Sequence, residues 1–133
     1  MTGGTRIIGI DERGRSVGEG SELTVAEVQR TVDRWIRRFE EGYFPPLAMV
    51  ARLAEEVGEL AREVNHTYGP KPKKPDEPVG SVGEELGDLL FVLASMANAL
   101  DIDLAQAFAM VMQKFHDRDL GRWTPRANPP ELD

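Results

Sequence analysis

Two pairs of acidic residues have spacings that could do chemistry. Glu56 and Glu59 lie three positions apart in "LAEEVGELAREVNH", and Glu85 and Asp88 lie three apart in "GEELGDLLFVLASMANAL". Side chains three apart share a face of a helix, so each pair can direct two carboxylates toward one point. If the two helices are neighbours, the crowded negative charges need a positive counterpart between them. Oxygen ligands suit hard divalent cations, so we expect a metal site for Mg²⁺ above all.

The remaining composition limits the alternatives for this metal. The chain has no cysteine and only two histidines, and this lack of zinc ligands disfavours a zinc site. Glu63 and His66 make half of the Glu-x-x-His pattern that di-iron bundles use twice, but His116 has Gln113 three positions before it. We therefore interpret His66 as a residue at the end of a helix. A solvent-exposed acidic face is the common alternative for Glu56 and Glu59 alone, and the second acid pair favours a site.

Apolar periodicity and helix start signals predict four helices. They run from about Thr24 to Phe39, Pro46 to Tyr68, Ser81 to Leu100 and Asp103 to Asp117. Thr24 with Glu27, and Ser81 with Glu84, have the spacing of capping boxes. In the second helix we expect an apolar stripe with the acids on its flank; this stripe consists of Val50, Leu53, Val57, Leu60 and Val64.

These elements predict an all-α protein, a four-helix-type bundle that is completed by oligomerisation. Residues 24–120 form the helical domain, between a flexible Gly-rich leader at 1–23 and an extended tail at 121–133. Residues 69–80, with four prolines and three lysines, form a loop. The third helix is apolar almost all round, which is typical of a buried helix and favours sharing it with a partner chain as a dimer or tetramer.

Charge and hydropathy exclude several classes of function. The formal net charge is −7, which disfavours binding to a nucleic acid polymer through its phosphates. No apolar run is long enough to span a membrane, and the first residues lack the apolar core of a signal peptide. Together with the absence of cysteine, this composition predicts a cytoplasmic protein that does not bind membranes.

The two acid pairs also carry a resemblance to a known family. "EEVGE" at 55–59 followed by "EELGD" at 84–88 resembles the E-E-x-x-E…E-x-x-D signature of the MazG-type nucleoside triphosphate pyrophosphohydrolases. The similarity extends over about residues 25–123. It implies an oligomeric all-α enzyme that cleaves a nucleoside triphosphate between the α and β phosphorus atoms. It also implies that Glu56, Glu59, Glu85 and Asp88 are the Mg²⁺ ligands, with Mn²⁺ able to substitute.

The resemblance suggests further site residues. Glu55 precedes the first ligand and is a candidate general base, with an outer-sphere or solvent-exposed acid as the alternative. Family members carry a basic cluster that contacts the triphosphate, and the matching residues here are Lys114, Arg118 and Arg122. Favourable charge at a helix C-terminus is the alternative for these cations.

The other candidates are weaker. For the base, Tyr43 and Phe44 are stacking candidates, whereas Trp35 falls in the apolar repeat of the first helix and is expected in the core. The three lysines of the loop are expected to serve solubility rather than to close over a nucleotide; they are Lys71, Lys73 and Lys74. Asn98 is expected to be hydrogen-bonded for structural reasons.

Three functions remain open at this point. The first is a Mg²⁺-dependent pyrophosphohydrolase for house-cleaning of the nucleotide pool. The second is a narrower enzyme of the same superfamily, acting on dUTP, dCTP or phosphoribosyl-ATP. The third is a helical adaptor or dimerisation module without catalysis. The intact acid pairs on both helices argue against the adaptor, and residue spacing alone does not distinguish the first two.

Overall fold

Four helices form the body of this computed structural model, which describes residues 9–10, 16–17, 23–77 and 80–131. The helices are α1 (Val25–Ile36), α2 (Pro46–Tyr68), α3 (Val82–Ala99) and α4 (Leu104–Asp119). Ahead of them, β1 (Gly9–Ile10) and β2 (Ser16–Val17) pair antiparallel, and the rest of the expected leader lies outside the described residues. The all-α prediction is confirmed. None of the four helices has the length and hydropathy of a membrane span.

The helix ends follow the signals in the sequence. The Thr24 hydroxyl accepts a hydrogen bond from the Glu27 N–H at 3.2 Å, and the Glu27 carboxylate accepts one from the Thr24 N–H at 2.6 Å. This predicted capping box is therefore complete. At α3 the Ser81 hydroxyl accepts from the Glu84 N–H at 3.0 Å. The reciprocal bond of that second box is not among the hydrogen bonds of the described residues.

A pair of amides joins α1 to the connection between α3 and α4. Gln29 Nε2 donates to Asn98 Oδ1 at 3.0 Å and to the Ile102 carbonyl at 2.8 Å, while its Oε1 accepts from the Leu104 N–H at 2.9 Å. Asn98 Nδ2 donates in return to the Gln29 carbonyl at 2.9 Å. The amide of Asn98 is thus satisfied by structural bonds, as predicted. The connection that it holds includes Asp101, whose φ of 56° is left-handed.

The packed face of α2 matches the predicted apolar stripe only in part. Leu53 and Leu60 are half-buried as expected, whereas Val50 and Val57 are half exposed. Met49 and Glu63 are buried, and Glu56 is half-buried. Residues 49, 56 and 63 recur every seven positions, so α2 turns an acid-bearing face toward α3, its main neighbour. The prediction that the acids only flank the packed stripe is wrong. The valines lie one position further along, about 100° around the helix, and this rotation moves them outward.

The core of a single chain is small. In the part of the chain that the structure describes, the buried apolar residues are Val32, Met49, Val92, Ala94 and Ala97. On α3, Leu86 and Leu90 are about half exposed, so the expected burial of this helix on most sides is not achieved within one chain. α4 packs mainly against α1, and its Phe108 and Met110 are more than half exposed. The partner chain that would cover these helices stays a prediction.

The turn between α1 and α2 is held by a phenol and a carboxylate. The Tyr43 hydroxyl donates to Asp33 Oδ1 at 2.6 Å, and Arg37 Nε donates to Asp33 Oδ2 at 2.8 Å. The hydrogen bond from Tyr43, followed by that from Arg37, lowers the pKa of Asp33. Burial and then the bond to Asp33 raise the pKa of Tyr43 to about 12. This pair fixes the chain direction that leads into α2.

We expect Tyr43→Phe to lower the free energy of unfolding at pH 7 by about 1 kcal/mol, because Asp33 loses a donor. The pKa of Asp33 is lowered, so the stabilisation is present above its usual value of 3.8 and is lost as the pH falls through the lowered pKa. The pKa of Tyr43 is raised, so the wild type also loses this stabilisation as the pH rises from 10 to about 12.

Urea unfolding across the pH range measures the difference between wild type and variant. Tyr68→Phe is the matched control, because Tyr68 is 79% exposed. A difference that stays constant into acid would contradict the role given to the Asp33 carboxylate.

Candidate metal centre

Three carboxylates from α2 and α3 converge in the seam between these helices. One oxygen each of Glu56, Glu59 and Glu85 lies within 4.8 Å of the other two. We call these three residues the acid cluster. Glu59 is exposed, whereas Glu56 and Glu85 are half-buried. The side-by-side packing of α2 and α3 therefore brings together members of both predicted acid pairs.

Asp88, the fourth predicted ligand, lies outside this cluster but shares its electrostatic field. The pKa of Glu56 is raised by burial first, and then by the charges of Asp88 and Glu59. The pKa of Glu85 is raised by burial first, and then by Glu59, Asp88 and Glu56. Ionisation of both carboxyls is therefore less favourable than that of an ordinary glutamate, as expected when like charges are crowded together.

Two oxygens of the acid cluster lack a partner. Glu56 Oε2 and Glu85 Oε2 are buried and accept no hydrogen bond from the described residues. A buried carboxylate oxygen without a partner is costly, and a cation between the helices would satisfy both. The donor atoms are all carboxylate oxygens, the set that hard divalent cations prefer. The residues present therefore fit a divalent metal ion of the Mg²⁺ class.

An aromatic cavity of about 330 Å³ lies at the α1 end of the seam. Its aromatic lining consists of Trp35, Phe39, Tyr43, Phe44 and Phe91, and Arg52 joins it on the α2 side. Arg52 Nε is also 3.9 Å from Glu56 Oε1, which links the cavity to the acid cluster. Tyr43 and Phe44, the predicted base-binding residues, both lie here, and their contact with a base stays a prediction.

Trp35 does not belong to the core, contrary to its predicted place. Its side chain is 51% exposed, and its ring meets that of Phe39 edge-on at 5.3 Å. Both rings lie near the end of α1, where the chain turns away toward α2 instead of supplying a covering layer. They form a wall of the cavity, and helical periodicity alone did not distinguish such a wall from a core position.

The predicted basic cluster is separate from the acids within one chain. Arg118 donates to both oxygens of Asp119, at 2.8 and 3.0 Å, and Arg122 lies 3.7 Å from the same carboxylate. The Lys114 ammonium lies over the ring of Phe115. Across the described residues, no hydrogen bond or ion pair joins these cations to α2 or α3. Glu55, in contrast, is exposed beside Glu56 and its charge acts on that carboxyl.

The loop between α2 and α3 supplies an ion pair that the sequence analysis missed. Lys73 Nζ lies 3.0 Å from Glu63 Oε1 and 3.4 Å from Glu63 Oε2. His66 Nε2 lies 2.9 Å from a Glu77 oxygen, so the loop contacts α2 at two points. Lys73 was expected to serve solubility only, and that expectation is wrong. The seven-residue spacing of Glu56 and Glu63 places both on one face of α2, but it does not indicate which residue pairs with Glu63.

Comparisons with known proteins show the family to which this sequence is similar. The family model described as the MazG nucleotide pyrophosphohydrolase domain matches residues 44–123. The chain is 60% identical over 104 residues to the uncharacterised protein YpjD of Bacillus subtilis. The aligned region covers 78% of this chain and 94% of YpjD.

Two crystal structures are similar in fold and sequence. The YpjD protein of Bacillus subtilis, a proposed pyrophosphatase, superposes with a TM-score of 0.65 at 59% identity, over 72% of this chain and 98% of YpjD. A Bacillus-conserved MazG protein, a nucleotide pyrophosphohydrolase, gives a TM-score of 0.65 at 52% identity, over 77% of this chain and 100% of that protein.

We expect Glu56→Gln to raise the melting temperature of the metal-free protein by a few degrees, because one of the crowded charges is removed. Added Mg²⁺ or Mn²⁺ should raise the melting temperature of the wild type and leave that of Glu56→Gln nearly unchanged. Thermal melts in EDTA and in each cation measure both effects. Glu55→Gln is the control, since its exposed carboxylate lies outside the acid cluster and the cation-induced shift should persist. Equal cation-induced shifts in wild type and Glu56→Gln would contradict the metal site.

Proposed function

Since this chain belongs to the MazG nucleotide pyrophosphohydrolase family and is therefore a hydrolase, we propose that it cleaves nucleoside triphosphates to nucleoside monophosphates and pyrophosphate with Mg²⁺. The observation that carries this proposal is the convergence of three carboxylates with two unpartnered buried oxygens. House-cleaning of the cytoplasmic nucleotide pool is the role that we propose for the reaction.

The acids have separate tasks in this proposal. Glu56, Glu59, Glu85 and Asp88 would hold the cation. A bound divalent cation neutralises the charge of a triphosphate and lowers the pKa of water. Glu55 lies next to Glu56 and is open to solvent. We propose that Glu55 is the general base, which accepts the proton of the attacking water when that water lies within hydrogen-bond reach.

The aromatic cavity is the proposed site for the base. Stacking of a nucleobase on aromatic rings needs an open ring face, and Phe44 and Trp35 are each 51% exposed. The Tyr43 hydroxyl is already engaged with Asp33, so this residue would contribute its ring. Arg52 lies between the cavity and Glu56, in a position suited to the phosphate that follows the sugar.

The proposed reaction is tested by pyrophosphate release from standard, deoxy and damaged nucleoside triphosphates, with Mg²⁺ and with EDTA. We expect release that depends on the cation, and we expect Glu59→Gln and Asp88→Asn each to abolish it while helicity is retained. Glu84→Gln, beside Glu85 but outside the acid cluster, is the matched control. Turnover confined to dUTP, dCTP or phosphoribosyl-ATP would identify the narrower enzyme. Full turnover in both ligand variants would contradict the site.

We also propose a homo-oligomer in which a second copy covers the exposed side of α4. Phe108, Met112 and Phe115 leave apolar surface uncovered on this helix. Among the described residues, no hydrogen bond or ion pair joins the cations at its end, Lys114 and Arg118, to the acids of α2 and α3; Arg118 pairs instead with Asp119 of its own helix. An acidic seam on one copy and a basic helix end on the other are complementary in charge. The α4 cations would then contact the triphosphate held by the partner.

Subunit mixing tests this arrangement. We expect the inactive Glu59→Gln protein and the inactive Lys114→Met/Arg118→Met protein to regain activity when they are unfolded and refolded together. In a dimer, half of the molecules are then hybrids with one intact site of two, which gives about a quarter of the wild-type rate. No recovery, despite hybrids seen by native mass spectrometry, would place the cations and acids of a site on the same chain.

A further inference from the structure

The ammonium of Lys73 is held by the Glu63 carboxylate and has one N–H donor that these contacts do not use. Both oxygens of Glu63 are within reach of it, at 3.0 and 3.4 Å. A lysine ammonium has three N–H donors, so one remains after both contacts are made. The Glu63 side chain is 10% exposed and that of Lys73 is 28% exposed. The side chain of Lys73 therefore keeps solvent-accessible surface while the ion pair is intact, and its third N–H has no partner among the described residues.

The loop that carries Lys73 also contacts α2 just before this residue. The His66 side chain is 5% exposed, and its Nδ1 lies 3.1 Å from the carbonyl oxygen of Lys71. At Gly80, a side-chain Cβ would come within 2.8 Å of Glu63 Oε1, so a larger residue there would displace the carboxylate that holds Lys73. A cation that is already oriented loses little entropy when it binds an anion.

Lys73 lies at one end of the acids along α2. Glu63 follows Glu59 by one turn on the same side of the helix, and its charge also acts on Glu85. Arg52 lies at the opposite end, one turn before Glu56 and on the wall of the aromatic cavity. The cavity, the acid cluster and Lys73 thus follow one another along α2, over about 16 Å from residue 52 to residue 63.

Charge explains why a cation is needed at this place. The four proposed ligands carry more negative charge than one divalent cation neutralises, and a polyphosphate brought beside them adds more. No ion pair or hydrogen bond among the described residues joins the cations of α4 to this seam, and Arg118 and Arg122 pair with Asp119 instead. Lys73 is held beside the last acid of α2 with a free donor, which is the requirement for contacting a phosphate oxygen.

We propose that Lys73 binds the pyrophosphate end of the substrate, so that the triphosphate lies along α2 with its base at the Arg52 end. This inference rests on the proposed function and adds the direction of the substrate and a residue for the leaving group. Glu63 is a positioning residue in this arrangement, because it acts by holding the ammonium of Lys73.

The test is calorimetric binding of pyrophosphate to the full chain in the presence of Mg²⁺. We expect Lys73→Met to weaken binding about tenfold or more, the loss expected for one charged hydrogen bond. Lys73→Arg should retain most of the affinity. Lys74→Met, the neighbouring exposed lysine, should bind as the wild type does. Binding of a nucleoside monophosphate should be the same in all four proteins.

A double variant separates substrate contact from simple support of the loop. Lys73→Met leaves Glu63 buried without a partner, and Glu63→Gln/Lys73→Met removes that charge as well. We expect the double variant to recover the melting temperature of the wild type but not its pyrophosphate affinity. Recovery of the affinity would mean that the pair is structural and would overturn the inference, as would wild-type affinity in Lys73→Met or no pyrophosphate binding by the wild type.

The same proteins distinguish this inference from the proposed function. If the wild type releases pyrophosphate from nucleoside triphosphates and Lys73→Met binds pyrophosphate normally, only the role of Lys73 is wrong. If the wild type hydrolyses no nucleoside triphosphate but binds pyrophosphate through Lys73, the anion site stands and the proposed reaction is wrong.

Discussion

Repulsion between carboxylates in the seam of α2 and α3 is the constraint on which this structure depends. A helix pair normally places its acids toward water, whereas here Glu56 and Glu63 lie on the packed face of α2. Burial and neighbouring charges then make ionisation of Glu56 and Glu85 harder. The acids of the seam differ in the partner that offsets this cost. Glu63 has Lys73, Glu56 has the more distant Arg52, and two oxygens of the acid cluster have no partner in the protein.

Hydrogen bonds elsewhere in the fold hold α2 and α3 in place on either side of this seam. Tyr43 and Asp33 fix the turn that aims α2, and Gln29 and Asn98 fix the connection that ends α3. Both sets of bonds involve α1, so α1 serves as a brace across the two acid-bearing helices. The stabilisation is local and polar, and among the described residues few apolar side chains are buried. The polar bonds of α1 therefore hold α2 and α3 together where a large apolar core is missing from the described part of the chain.

The sequence predicted what depends on local rules and missed what depends on contacts across the chain. The bounds of α2 and the cap of α1 follow from proline, glycine and capping chemistry, and those predictions match the structure. The sequence did not predict which face of α2 is packed. Its valine and glutamate stripes are only one residue apart, and packing against α3 determines which of them is buried. Lys73 was missed for the same reason. Nothing within a proline-rich loop shows that its lysine meets a glutamate of the preceding helix.

In the proposed enzyme, the seam of α2 and α3 would serve the reaction, and the aromatic cavity would select the nucleobase. In the proposed reaction the acids would act on the cation and the phosphates. All nucleoside triphosphates share these phosphates, so the seam would not distinguish among them. In the cavity, the Ser95 hydroxyl is already used by the Phe91 carbonyl, as that of Tyr43 is by Asp33. Glu41 and Arg52 remain as charged groups of the lining, beside aromatic walls. A site with few free hydrogen-bonding groups selects by ring size and stacking more than by the pattern of donors and acceptors. Differences in substrate among proteins with this seam should therefore arise from the end of α1 and the turn that follows it.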